Sequence, residues 1–392
     1  MSKIVFFCIP AHGHTNPTLG VVKELVNRGH QVWYYSYNMM REKIESAGAT
    51  FVSCDDYDME QKLTPKDAAR VGKDLAFSTK ILVDTTLALN DHVCAEMERL
   101  QPDCIVADSM AVWGKAVAMK LSIPFVSSTT TFAFNKHSAQ IMRQSIGELF
   151  KMIFSMPKIN KDIKRLQDNG YPVKSVLDII QNDDNTHTVV YTSPEFQPFS
   201  DTFSDKYAFV GPSIRPAAGE TEKTHEKLVY ISMGTVNNDM LPLYHRFIEA
   251  LGKTDYQVIL SVGNLVPLEN FSGLPDNISV FSSVDQISVL QKADAFISHC
   301  GMNSVNESLY FAVPLIMLPQ TSEQSGVAER VSQLAAGLKL QKTDAQSILE
   351  AVNTILNDKS YKENASTISD GFKRCSGAKG AADKILSVCG NK

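Results

Sequence analysis

The sequence predicts an α/β protein of two Rossmann-like domains, each a doubly wound parallel sheet, facing each other across a cleft. Three observations lead there. Short apolar runs alternate with helix-period segments along the first half, and the same alternation restarts after residue 227. A polar stretch with prolines, Ser213 to Lys227, separates the two series and has the composition of a linker. The length of 392 residues exceeds what one ordinary core accommodates.

In the first half, Lys3 to Ile9 reads as a buried strand. A helix is predicted to open at Asn16-Pro17, where proline is tolerated in a first turn, and to end at Gly29. Gln31 to Ser36 reads as the next strand, and a second helix stops at Gly48. Further strands are expected at Cys104–Ala107, Phe125–Ser128 and Thr188–Thr192. Segments 57–90 and 132–180 interrupt the rhythm and carry many Phe and Met side chains, among them Phe77, Phe132, Phe134 and Met142. Most of these are expected to pack on the core, and a minority to form an adaptable apolar wall for a ligand. The second half has strand patterns at Leu228–Ser232, Gln257–Val262, Ile278–Phe281, Ala295–Ser298 and Leu315–Leu318. An amphipathic helix covers Ala378–Val388. The expected division is 1–211, a linker at 212–227, 228–375, and a closing helix at 376–392 that packs back toward the first domain.

Composition narrows the function. The formal net charge is −5, so no basic excess points to a nucleic-acid partner. The seven cysteines are scattered, with no C-x-x-C, which indicates neither a disulfide framework nor a zinc site. The N-terminal apolar run is too short for a signal peptide, and no stretch suits a membrane span. A cytoplasmic, monomeric protein acting on small molecules is the expectation.

The chemistry concentrates at strand ends. In the second half a strand ends at Ser298, a turn of His299, Cys300 and Gly301 follows, and a helix is expected to begin near Asn303-Ser304. A helix N-terminus offers unpaired N–H groups and partial positive charge, which suits a diphosphate. Gly301 admits close approach; Asn303 and Ser304 can cap the helix or donate to phosphate. Glu307, one turn on, can accept from both hydroxyls of a ribose. Ser232, Gly234 and Thr235 follow another strand and suit a phosphate turn. Each piece alone is as readily a helix cap; two such turns in one domain favour a ligand.

In the first half, His14 lies just after the first strand. Transfer to a hydroxyl needs a base, and an imidazole with an ordinary pKa near ~6.5 fits that role. Asp108, ending another strand, can orient the ring. The bland alternatives are a capping histidine and a capping aspartate, and His12 competes within the same turn. Ser128 and Thr129 end a neighbouring strand and are candidates for an acceptor pocket.

The stretch FISHCGMNSVNESLYFAVPLIMLPQTSEQ, with the N-terminal G-H-x-N-P turn and the S-M-G-T loop, resembles the signature of the UDP-glycosyltransferases of glycosyltransferase family 1. It is most similar to bacterial members that glycosylate macrolides and flavonoid-like phenols. The resemblance spans the whole chain and implies the GT-B fold. It implies that His299, Asn303 and Ser304 hold the diphosphate with Thr235 helping, and that Glu307 takes the ribose. It also implies that Glu323 and Gln324 bind the donor sugar, and that His14 and Asp108 are the catalytic pair. Val284 and Gln286 fall in the uridine segment, W-x-P-Q in the family, but here Ser283-Val284-Asp285-Gln286 lacks the tryptophan and the proline. Ala312 and Ala335-Ala336 fall where relatives often have glycine.

The expected activity is inverting, metal-independent transfer of a hexose, glucose from UDP-glucose, to a hydroxyl of a small apolar acceptor, with no cofactor. The alternatives are a sugar-nucleotide epimerase or hydrolase of the same fold and a non-catalytic nucleotide-binding protein. A dinucleotide dehydrogenase is disfavoured, since no G-x-G-x-x-G follows a strand. Asp56-Tyr57-Asp58 is a D-x-D, a metal-binding pattern in other glycosyltransferases, and reads here as a solvated loop.

Overall fold

The structure, a computed structural model, describes residues 1–55, 74–135, 137, 146–180, 182–235 and 237–390. The chain forms two compact units. Met1–Ser213 and Ser376–Lys392 make the first, and Ile214–Cys375 the second.

The first unit contains β1 (Lys3–Phe7), α1 (His12–Asn27), β2 (Gln31–Ser36), α2 (Arg41–Ser46), β3 (Thr50–Ser53), α3 (Leu75–Leu100), β4 (Cys104–Asp108), α4 (Val112–Leu121) and β5 (Phe125–Thr129). It continues with α5 (Ile146–Asp168), α6 (Leu177–Ile180), β6 (His187–Val190) and β7 (Tyr207–Phe209). Its sheet has seven strands in the order β3-β2-β1-β4-β5-β6-β7. Every pairing is parallel. The strands are nearly all apolar because both faces are covered. Ile4, Phe6 and Val106 pack on one side with Val21, Val22 and Leu25 of α1, while Val5, Phe7 and Ile105 pack on the other with Leu89, Val93 and Val117.

The second unit contains β8 (Lys227–Ser232), α7 (Leu241–Leu251), β9 (Tyr256–Ser261), β10 (Ile278–Phe281), α8 (Gln286–Leu290), β11 (Ala295–Ser298), α9 (Met302–Tyr310), β12 (Leu315–Met317), α10 (Ser322–Gln333), β13 (Gly337–Lys339), α11 (Ala345–Asn357) and α12 (Lys359–Arg374). Its six strands run β10-β9-β8-β11-β12-β13, again all parallel. The last helix, α13 (Gly377–Cys389), belongs to the first unit, where Ala381, Ala382, Ile385 and Val388 join the core beside α1.

Both sheets reverse their winding once, between β1 and β4 in the first unit and between β8 and β11 in the second. Loops at the carboxyl ends of the strands on either side of such a switch point diverge and leave a crevice there. This topology selects which loops can host chemistry.

Two helix ends explain the alanines. Ala312 after α9 and Ala335 after α10 have φ of 56° and 48°, in the left-handed region. Each closes a helix with paired bonds: Ala312 N–H to Leu309 O and Val313 N–H to Ser308 O; Ala335 N–H to Ser332 O and Ala336 N–H to Val331 O. Glycine adopts this geometry without strain, whereas alanine gives up about 1–2 kcal/mol.

One helix boundary differs from expectation. Helix α1 begins at His12, four residues before Asn16, and Pro17 lies inside it. The N–H groups of His14 and Thr15 both turn back to Ala11 O, so the turn closes before proline is reached. His14 therefore sits in the first turn of the helix rather than in the loop ahead of it.

Candidate active site

The crevice of the first unit is built by β1, β4 and β5. Phe7 pairs with Ala107, and Asp108 pairs with Ser128, so the residues that follow these strands come together. His14 Nδ1 and Asp108 Oδ2 are 2.8 Å apart. The Asp108 side chain has no exposure, while that of His14 is 21% exposed. Met110 N–H donates to the other oxygen, Asp108 Oδ1, at 2.9 Å and fixes the carboxylate's rotation. A carboxylate only accepts, so the proton between the two groups belongs to His14 Nδ1. Nε2 is then the basic nitrogen. Thr130 Oγ1 approaches the same Nδ1 at 3.1 Å. Thr130 was not a sequence candidate; its position directly after the β5 strand end was the available signal.

The other acceptor candidates divide. Ser128 is fully buried, and its Oγ donates to Tyr191 Oη at 3.2 Å. Phe132 is also buried, with its ring 5.5 Å from that of Phe196. Thr129 is buried, and its Oγ1 has no hydrogen-bond partner among the described residues. Phe77 is half-buried in the first turn of α3, where its N–H donates to Asp74. Met142 and the Asp56–Asp58 pattern lie outside the described residues. Sequence reasoning missed Met110, 45% exposed beside Asp108, and gave no special weight to Phe134, 37% exposed just beyond Thr130. Each is a large apolar side chain open to solvent in a segment that follows β4 or β5, the kind of side chain an apolar ligand contacts.

In the second unit, Ser298 pairs with Ser232, which sets the β8 and β11 loops side by side. Gly234 has φ +84°, and a Cβ there would lie 2.6 Å from His299 Cε1; a Cβ on Gly301 would lie 2.7 Å from His299 Nε2. The imidazole thus fills a slot that exists because both residues are glycine. Burial pushes the His299 pKa down, with the Ser232 main chain pulling the other way, which favours a neutral ring. Its Nδ1 is buried and makes no hydrogen bond among the described residues.

Helix α9 starts at Met302 with Gly301 as its N-cap. Asn303 and Ser304 are therefore in the first turn and do not cap it. A glycine N-cap has no side chain to offer, so it leaves first-turn N–H groups to other acceptors. Gln286 Nε2 donates to Glu307 Oε2 at 2.5 Å and lies 3.4 Å from Ser304 Oγ. Tyr230 Oη holds the opposite end, donating to Gln286 Oε1 at 3.2 Å. Burial raises the Glu307 pKa, and the Gln286 bond opposes it. Val284 is half-buried just ahead of Asp285, which accepts from Ala218 N–H at 2.6 Å and pairs with Arg215. Glu323 and Gln324 occupy the first turn of α10, after the neighbouring strand β12. Gln324 Oε1 accepts from Gln320 N–H at 2.8 Å, and Thr321 caps the helix through Gln324 N–H. Ser232 Oγ accepts from Gly234 N–H at 3.4 Å, and Thr235 is exposed. Among the described residues no three His, Cys, Asp or Glu side chains converge as a metal site.

The family of UDP-glucoronosyl and UDP-glucosyl transferases matches residues 217–374, the span that carries the second of these sites. A UDP-glucosyltransferase of Bacillus subtilis, YojK, is 31% identical over 100% of this chain and 98% of its own length. The chain belongs to the UDP-glycosyltransferases. The NDP-glycosyltransferase YjiC of Bacillus licheniformis is 32% identical over 97% of this chain and 96% of its own. The crystal structure of the kitacinnamycin glycosyltransferase superposes with a TM-score of 0.86, covering 99% of this chain and 98% of the other at 24% identity, and shows the shared fold. This UDP-glycosyltransferase thus has a two-domain GT-B architecture of paired Rossmann-like sheets, with a polar cluster at each switch point.

Proposed function

We propose that this enzyme transfers a hexose, glucose from UDP-glucose, to a hydroxyl of a small apolar acceptor such as a phenol, flavonoid or macrolide, with inversion and without metal or cofactor. The observation that carries the reading is the His14–Asp108 pair at 2.8 Å, with the aspartate buried and the imidazole partly open. The acceptor oxygen gives its proton to His14 Nε2 as it attacks the anomeric carbon, and the bond to the diphosphate breaks on the opposite face. An α-linked donor then yields a β-glycoside. Asp108 stabilises the imidazolium as it forms. The departing diphosphate takes its charge to the turn of Gly234 and Thr235, to neutral His299 as a donor, and to the α9 end at Gly301–Ser304. Glu307 and Gln286 take the nucleoside, and Glu323 and Gln324 the sugar hydroxyls. Exposed Met110 and Phe134 supply the apolar contact for the acceptor.

The test is mass spectrometry of products from a panel of nucleotide sugars and hydroxylated acceptors, with the linkage assigned by NMR. A β-glycoside from UDP-glucose supports the reading. Sugar released or epimerised with no glycoside would select the hydrolase or epimerase alternative. UDP binding without turnover would select a binding protein.

A further inference from the structure

We propose that Asn238 is a positioning residue for the donor diphosphate, acting through the peptide that joins Gly234 to Thr235. The proposal rests on the donor-site reading above and adds a residue to it.

Asn238 lies in the loop after β8 and is 1% exposed. Its Nδ2 donates to Gly234 O at 3.0 Å. Its own carbonyl accepts from Met240 N–H at 2.9 Å and from Tyr244 Oη at 2.9 Å, which anchors the residue from below. The carboxamide occupies the space beside Gly263, two residues after β9, where a Cβ would come within 1.9 Å of Nδ2. The loop after β8 is thus held on both sides. Asn238 binds the Gly234 carbonyl, and the His299 ring occupies the space that a Gly234 side chain would need.

Geometry gives this clamp a purpose. In a planar trans peptide the C=O of one residue and the N–H of the next point in opposite directions, and no peptide among the described residues is cis. Fixing Gly234 O toward Asn238 therefore turns the Thr235 N–H away from Asn238. That makes it a preset donor at the carboxyl end of β8, beside the His299–Gly301 turn that β11 brings alongside. The φ of +84° at Gly234 lies in the left-handed region, which glycine enters without strain.

A second observation argues against simple space filling. Asn238 Oδ1 is buried and has no hydrogen-bond partner among the described residues. An unmatched buried acceptor costs about 1–3 kcal/mol, which an apolar side chain of similar size would avoid. The Nδ2 bond to Gly234 O is what the amide supplies that an apolar side chain does not.

The experiment is isothermal titration of the full-length protein and its N238A and N238D variants with UDP and with uridine, alongside thermal midpoints. A donor bond to a charged group is worth about 10-fold or more in affinity. N238A should weaken UDP by about that factor while leaving uridine within about twofold, because uridine has no phosphate to meet the Thr235 N–H. In N238D, UDP affinity should recover toward wild type as pH falls, since a protonated carboxyl again donates to Gly234 O. Unchanged UDP affinity in N238A overturns the proposal, and so does a proportional loss of UDP and uridine. A wild-type protein that fails to bind UDP would instead refute the donor-site reading, and the proposal with it.

Discussion

Replacing Asp108 by Asn probes the dyad while keeping its shape. Asn Oδ1 can still accept from Met110 N–H, the bond that sets the side chain's rotation at 2.9 Å. The other atom becomes an amide donor 2.8 Å from His14 Nδ1. Two losses follow. The amide pushes Nδ1 to become the acceptor, which moves the ring's proton to Nε2 and removes the base from the nitrogen that needs it. The imidazolium formed during transfer also loses a buried counter-charge. At charge centres about 4 Å apart and an effective dielectric near 20, that attraction is about 4 kcal/mol, or roughly 10³-fold in rate. Turnover with an aliphatic alcohol acceptor should therefore fall by about 10²–10⁴-fold, with the donor KM little changed. An acidic nitrophenol, already ionised at the assay pH, needs no base and should lose much less. Initial rates with both acceptors, read against thermal midpoints of the two proteins, decide it. Near wild-type turnover of the alcohol, or an equal loss for the nitrophenol, would refute the reasoning.

Other outcomes follow from the same geometry. Ala312→Gly and Ala335→Gly should each stabilise the protein by about 0.5–1 kcal/mol, because relief of left-handed strain exceeds the added chain entropy. Calorimetry should show this as a rise of about 1–3 °C in Tm per substitution. Gly234→Ala sets a Cβ against the His299 ring at positive φ, so UDP binding by titration should drop together with Tm. The pKa values of His12, His30, His187 and His299 are all lowered, chiefly by burial. The unfolded chain then takes up protons first as pH falls below about 6.5, and stability is lost in that direction. Glu307, raised by burial, acts with the opposite sign. Thermal midpoints should decline between about pH 7.5 and 5.5, and His299→Gln should flatten the slope. Turnover should persist in excess EDTA; abolition that added magnesium reverses would point to a metal-dependent mechanism.

The parallel sheets were legible because strands buried on both faces leave unbroken apolar runs, such as Leu228 to Ser232, that no surface segment imitates. The position of His14 in a helix rather than a loop was not legible, because Pro17 is so strong a start signal that it masked the earlier turn closing on Ala11. The glycine turn at Gly301 was visible as a motif, yet the reason for it was not. Its missing Cβ makes room for His299, a contact that needs the strand pairing to be known. Asn238 and Thr130 carried no motif at all. Their roles come from a hydrogen bond four residues back and from a neighbouring strand end, and composition records neither. The bond from Ser128 to Tyr191 was not legible, because a hydroxyl at a strand end looks alike in sequence whichever group it faces.

The most direct measurement is a crystal structure of the protein with UDP. The diphosphate is expected at the turn formed by Gly234, Thr235, His299 and the first turn of α9, with the ribose hydroxyls on Glu307. Density for UDP elsewhere, or a nucleotide whose phosphates leave that turn empty, would contradict it.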